Sequence, residues 1–372
     1  MMKRTCFFLT LLFPLVFPLA LSAQSAPRYV VDASWPMDLP NNMIIGQVSG
    51  IAVSSDDHIW IVHRPKSITE SQMGQVLDPP LSECCTPAPS VIEFDQDGSF
   101  IQAWGGATWD RDNQQWIEPD HDWPLMEHGI FVDEEDNVWL AGNNENHIVT
   151  RFTRDGQHLM TIGIPGETGG SNDTQRLGRP ADVAVDTQAN EVYVADGYLN
   201  RRVVVFDSES GKYKRHWGAY GERPHDDPLP GYSEGMEPSA QFLGPVHSVL
   251  LGPEDRVYVS DRTGNRLQVF EKDGTFIREA LLSPATLGNG SVWDIEVSPF
   301  DNGRWLFVAD GRNMTLRIVD RQSMIIVDSI GRGGHQAGQF DWVHNLAIDS
   351  QGNLYTSEVN NGRRVQKFSI AE

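Results

Sequence analysis

The chain has 372 residues, with 51 Asp and Glu against 29 Lys and Arg, a formal charge of −22, and 40% apolar residues. That apolar share is enough for the core of one large or two ordinary domains and excludes intrinsic disorder. So acidic a surface repels phosphate backbones, which argues against nucleic acid as a partner. Eleven Trp, with apolar runs bounded by Gly, Pro and Asp, favour strands over helices.

The one long apolar run is N-terminal. Met1 to Arg4 is short and basic, Cys6 to Leu21 is apolar but broken by Pro14 and Pro18, and Ser22, Ala23 and Ala26 are small. This is the layout of a secretory signal peptide over residues 1–26, cut between Ser22 and Ala26, with a retained anchor as the alternative. The expected location is periplasmic or extracellular, with no membrane contact after cleavage. Export puts the adjacent Cys84 and Cys85 in an oxidising compartment. There they either close a strained vicinal disulfide or remain as two thiols or a soft-metal contact.

Residues 27–372 repeat one unit six times. Its clearest form is Pro180-Ala-Asp-Val-Ala-Val-Asp186, Glu191-Val-Tyr-Val-Ala-Asp196, Arg202-Val-Val-Val-Phe206, a polar turn, and Tyr213 to Gly218. Further copies start near Val48, Glu127, Pro245, Val292 and Val343, and three carry a hairpin Asp-Gly at Asp97-Gly98, Asp155-Gly156 and Asp273-Gly274. A unit of three or four short strands cannot bury both faces alone, so the spacing predicts an all-β, six-bladed β-propeller as a single domain. The last copy stops after its third strand, and Tyr29-Val-Val31 is expected to supply the missing outer strand and close the ring. Insertions at about 65–89, 105–125 and 219–243 interrupt the repeats. The second, with Trp109, Trp116 and Trp123, reads as an ordered cover, and the third reads as solvated.

Aligning the copies fourteen residues before the end of each second strand, with two more allowed after Phe300, gives Ser49, His128, Asp182, His247, Asp294 and His344. Histidines occupy copies two, four and six. Alternate blades of a six-fold ring lie roughly 120° apart, so the three imidazoles converge on one point. Three His nitrogens and an open position form the ligand set of a catalytic Zn2+ site, although Fe, Co and Mn use the same donors. The plainer alternative is three histidines lining a channel. Asp182 and Asp294 are either channel acids or caps on backbone amides.

The segments Gln47-Val-Ser-Gly-Ile-Ala-Val53, Val62-His-Arg64, Glu127-His-Gly-Ile130, Asp196-Gly-Tyr-Leu-Asn-Arg201, Val246-His-Ser-Val249 and Val343-His-Asn-Leu346 resemble the successive motifs of the peptidyl-α-hydroxyglycine α-amidating lyases, propellers of the NHL-repeat type. The resemblance implies that His128, His247 and His344 ligate zinc, that Tyr198 is the catalytic base and that Arg64 lies beside it. It also implies a Ca2+ held by the carbonyls of Ile51 and Ile130 and by the side chain of Asn345. The implied substrate is a small molecule or peptide with a hydroxyglycine-like end, split into an amide and glyoxylate. By itself, Asp-Gly-Tyr-x-Asn-Arg is close to an ordinary turn of such repeats, as Asp261-Arg-Thr-Gly-Asn-Arg266 illustrates, so Tyr198 also has a structural reading. The sequence departs from the family at three points: Asn345 replaces an aspartate, Leu199 a disulfide cysteine, and Trp342-Val343 a Met-Pro pair. Two other readings stay open, a non-catalytic NHL propeller that binds protein or glycan, and a propeller lactonase.

Overall fold

A computed structural model describes residues 25–371. The leader expected over residues 1–26 lies outside the described residues except for Ser25 and Ala26. Among the described residues no helix is long and apolar enough to cross a membrane.

Six four-stranded antiparallel sheets form the blades, each meandering outward from an innermost strand. The innermost strands are Gln47–Val53, Glu127–Val132, Asp182–Asp186, Val246–Gly252, Asp294–Val297 and Val343–Ile348. The repeated sequence explains the packing through the two-residue period of a strand. In blade 3, Tyr193, Ala195, Val203 and Val205 face blade 4, where they join Val249, Val257 and Phe270. The alternating set Val192, Val194, Val204 and Phe206 faces blade 2 and joins Trp139 and Val149. Both faces of a middle strand are therefore buried, which is why these strands read as unbroken apolar runs. Equivalent cores lie between every pair of neighbouring blades.

The three Asp-Gly turns adopt the left-handed backbone that favours glycine, with φ of 87° at Gly98, 86° at Gly156 and 92° at Gly274. They are also contact points, since a Cβ on Gly156 or Gly274 would strike Trp104 or Trp217.

Tyr29–Asp32 supplies the outer strand of blade 6, antiparallel to Val365–Ile370, with Tyr29 opposite Ile370 and Asp32 opposite Lys367. The ring is thus closed by the N-terminal strand, and the Tyr29 hydroxyl donates to the Gly352 carbonyl at 3.0 Å.

The first two insertions pack on each other. Thr108–Asp110 and Gln115–Ile117 form a hairpin whose Trp109 and Trp116 meet edge to face. This hairpin lies on Ile68, Met73 and Leu77 of the first insertion. Trp123 belongs elsewhere, buried between blades 1 and 2. In the third insertion residues 226–240 are mostly exposed, while Gln241 and Phe242 are buried.

Four blades share a further device, an acid ending the second strand paired with an Arg at or near the start of the third. The pairs are Asp196 with Arg202, Asp261 with Arg266, Asp310 with Arg317 and Glu358 with Arg364. Each guanidinium in blades 3, 4 and 6 also binds carbonyls of the preceding loop, so the buried charges are hydrogen-bonded throughout.

Candidate metal centre

His128, His247 and His344 sit at the channel ends of the innermost strands of blades 2, 4 and 6. Each of those strands shifts register at its histidine, between Glu127 and Ile130, Val246 and Val249, and Val343 and Asn345. Such a bulge re-aims a side chain that the regular pleat would turn into a blade interface. The three rings come together with centroids 4.6 Å apart for His128 and His344, 4.8 Å for His128 and His247, and 5.0 Å for His247 and His344. One nitrogen from each lies within 4.8 Å of the others.

The neighbouring blades fix the tautomers. Nδ1 of His128 lies 2.7 Å from the Ala181 carbonyl, Nδ1 of His247 2.7 Å from that of Trp293, and Nδ1 of His344 2.7 Å from that of Ser49. A ring nitrogen facing a carbonyl must carry its proton, so in each neutral ring the lone pair is on Nε2. Nε2 of His247 is buried without a protein partner, as a ligand nitrogen would be. Burial, then the charges of Arg262, Arg64 and the neighbouring rings, lowers the pKa of all three, to about 3 for His344 and well below the ordinary value for the others. Neutral imidazoles with fixed, inward lone pairs are the form that binds a metal ion.

Asp182 and Asp294 take up the amides that the bulges free. Asp182 Oδ2 accepts from Val249 N at 3.2 Å, and Asp294 Oδ2 from Leu346 N at 2.9 Å, each two residues beyond a histidine. They are caps on the next blade that also line the channel.

Tyr198 and two arginines flank the centre. The Tyr198 hydroxyl is 2.8 Å from Nε2 of His128 and accepts from Nη1 of Arg262 at 3.1 Å. Arg64 donates from Nε to the Glu127 carbonyl at 2.9 Å and from Nη1 to Gln47 Oε1 at 3.1 Å. Burial lowers its pKa, opposed by its interaction with Tyr198 and Glu127. Glu127 is in turn held by Trp123 Nε1 and Ser90 Oγ.

Arg262 was not singled out by the sequence reading, because it falls in a turn that also contains the structural Arg266. The signal was available: Arg262 follows Asp261 as Arg64 follows His63 in blade 1, His63 and Asp261 being paired with the equivalent Val48 and Val246, where blades 3 and 5 have Gly197 and Gly311. Blades 1 and 4 face each other across a six-fold ring, so the two guanidinium groups flank the centre from opposite sides. Arg262 Nε is buried and unpartnered.

Ile51, Ile130 and Asn345 line one channel cavity of about 160 Å3 together with Asp182, Asp294 and Glu296. Asn345 Oδ1 is engaged by Nδ1 of His344. Burial and the charge of Asp294 hold Asp182 and Glu296 well above the usual carboxylate range, and burial brings Asp294 to about 7. Cys84 and Cys85, in the first insertion, are bonded to each other.

Fold and centre together define a propeller of the NHL-repeat type with a three-histidine channel, and the NHL repeat pattern matches residues 177–206. The chain is 27% identical over 366 residues to peptidyl-alpha-hydroxyglycine alpha-amidating lyase 1 of Drosophila melanogaster, covering 91% of this chain and 59% of the relative. It is 26% identical over 346 residues to the peptidylglycine alpha-amidating monooxygenase of Rattus norvegicus, covering 90% of this chain and 32% of the relative. The chain thus spans less than two thirds of either relative. A solved streptogramin B lyase shares the fold, with a TM-score of 0.54 at 11% identity over 92% of this chain and 98% of that one. The protein is an NHL-repeat propeller similar to the amidating lyases.

Proposed function

We propose that this protein is an exported, zinc-dependent lyase that cleaves the C–N bond of a hydroxyglycine-type carbinolamide, giving an amide and glyoxylate. The observation that carries the reading is the convergence of three neutral, carbonyl-anchored histidines on one point, with the Tyr198 hydroxyl 2.8 Å from one of them. Similarity over nine tenths of the chain to a relative named peptidyl-alpha-hydroxyglycine alpha-amidating lyase 1 supports it.

Zn2+ held by Nε2 of His128, His247 and His344 would supply Lewis-acid polarisation of a substrate oxygen. The protein's own groups do the rest. Arg64 and Arg262, approaching from opposed blades, pair with the substrate carboxylate. Tyr198, acting as a phenolate that the Arg262 guanidinium steadies, takes the proton of the substrate hydroxyl and becomes a neutral phenol. The O–H electron pair becomes the second bond of the aldehyde carbonyl, and the C–N pair leaves with nitrogen. Nitrogen then takes that proton back from Tyr198, so the products are a primary amide and glyoxylate. The oxygen-rich cavity at Asp182, Asp294 and Asn345 suits a hard cation such as Ca2+, which would relieve the repulsion between its carboxylates.

Glyoxylate release from α-hydroxyhippurate by zinc-loaded protein tests the reaction, with Tyr198→Phe as control. No release above the uncatalysed rate would overturn it.

A further inference from the structure

Beside the centre runs a row of packed rings and guanidinium groups. Arg262 lies 5.5 Å from the Tyr198 ring centroid and 4.5 Å from that of Trp293. Trp293 meets Trp342 at 5.6 Å, and Arg312 lies 5.7 Å over Trp342. Trp293 also touches two of the metal-site rings, His247 at 5.5 Å and His344 at 5.6 Å.

The two indoles have different surroundings. Trp293 is 4% exposed, its Nε1 donates to Gly290 O at 2.8 Å, and Gly311 packs so closely that a Cβ there would lie 2.7 Å from the ring. It is a fixed, covered wall. Trp342 is only half-buried and stands two residues before His344. Its backbone has a φ of 58°, in the left-handed region that a bulky residue rarely adopts. Strain of that kind persists where the surroundings over-determine a side chain's position, and it clusters at ligand sites. Here the buried indole of Trp293 and the hydrogen bond from Val359 N to the Trp342 carbonyl hold the ring in place.

We propose that Trp342, backed by Trp293, is a stacking platform that selects an aromatic group on the acyl side of the scissile carbinolamide. The inference rests on the lyase reading of the centre: with the carboxylate end between Arg64 and Arg262, the acyl group is the part left to meet the rim. Two exposed apolar side chains adjoin site residues in sequence, Leu199 next to Tyr198 at 48% exposure and Met126 next to Glu127 at 41%. A flat ring gains a stacking contribution there beyond the area it buries, and an aliphatic group does not.

The test compares α-hydroxyglycine compounds that share the carboxylate end and carry a benzoyl, acetyl or succinyl group. Zinc-loaded protein is expected to favour benzoyl over acetyl about 10-fold in kcat/KM. That ratio should fall toward one in Trp342→Ala and Trp342→Leu and persist in Trp342→Phe, which also serves if the Ala variant does not fold. An unchanged ratio in Trp342→Leu, or a wild-type preference for acetyl or for the anionic succinyl compound, would overturn the platform. Calorimetric binding of unreactive hippurate against N-acetylglycine separates the two readings. A Trp342-dependent preference in binding without any glyoxylate release sinks the lyase reading and keeps the platform. Equal binding of the two compounds overturns the platform whatever the turnover.

Discussion

The hydroxyl of Tyr198 lies 2.8 Å from Nε2 of His128, although the two residues are 70 positions apart and belong to neighbouring blades. Because Nδ1 of that ring faces the Ala181 carbonyl, Nε2 accepts and the phenol donates. A cation held by Nε2 would use the same lone pair and leave the phenol oxygen to Arg262 and substrate. Removing a positioned base typically costs ~10²–10⁴-fold in rate. Tyr198→Phe is therefore expected to lower kcat by that factor while the bound metal is unchanged. Rate and zinc content measured on the same preparation check this, and a loss of metal with the rate would make Tyr198 a structural residue.

Arg262 touches the phenol and carries an unpartnered Nε. Lys offers a point charge without the planar fork, so Arg262→Lys is not a mild change. The expected result is a KM for the hydroxyglycine compound raised about 10-fold or more, with the rise reproduced by Arg64→Lys. Initial-rate kinetics read it. A variant with unaltered KM would remove the arginine from carboxylate binding.

Removing a metal ligand must cost at least as much as removing the outer groups that orient ligands, which is roughly 10–100-fold in affinity. His247→Ala is therefore expected to lower zinc affinity at least about 100-fold, and chelation should lower the unfolding temperature of the wild type but not of the variant. Elemental analysis and thermal melts with and without chelator provide the readout. Equal zinc content in both proteins would dismiss the centre.

What the sequence could and could not disclose follows from where the information lies. The blades were legible because Asp-Gly turns and middle strands such as Val203 to Phe206 carry their pattern in side chains. The three histidines were legible because a strand, a turn and a strand keep a constant fourteen-residue offset. The partners that orient them were not, since Ala181, Trp293 and Ser49 act through carbonyl oxygens from other blades. Arg262 was hidden by Arg266 in the same turn. Trp123 stands close in sequence to the cover residues Trp109 and Trp116, yet it is buried between two blades and donates to Glu127 at 2.9 Å.

Cys84 and Cys85 are bonded to each other in the first insertion. Unreduced protein should therefore take up no alkylating label at these positions and two labels after reduction. Intact-mass analysis decides between the disulfide and a pair of free thiols.

Blade 3 carries a pH-dependent clamp. Arg215 grips both oxygens of Glu191 at 2.6 Å, and Tyr193 donates to the same carboxylate at 2.7 Å. Burial would raise the Glu191 pKa, but the bonds from Arg215 and Tyr193 and the charge of Lys214 outweigh it and bring it from 4.5 to about 2. A folded value below the unfolded one means that the stabilisation is fully present above about pH 4.5 and is lost as the pH falls toward 2. Arg215 is partly exposed, so solvent screening reduces the contribution to on the order of 1–2 kcal/mol. Arg215→Met should be less stable than wild type by that amount at pH 7, with the gap narrowing by pH 3. Denaturant titrations at the two pH values give the comparison, and a gap that does not depend on pH would show that the loss is one of packing.

Ring closure depends on four residues at the far end of the chain from the strand they complete. Tyr29 packs edge to face on Phe307 at 5.5 Å and donates to Gly352 across the blade, while Val31 adds to the core between blades 5 and 6. Deleting residues through Ser34 removes these contacts and leaves Val365–Ile370 as an unpaired edge, a template for association with another chain. The lost burial and ladder bonds together amount to roughly 3–5 kcal/mol. Tyr29→Phe keeps the ring and loses only the hydrogen bond, about 1 kcal/mol. Melting temperature and light scattering should therefore separate the two variants: a small drop in melting temperature without aggregation for Tyr29→Phe, and a large drop with aggregation for the deletion. A deletion variant as stable and as monodisperse as Tyr29→Phe would mean that five complete blades and a three-stranded sixth hold the ring without the closing strand.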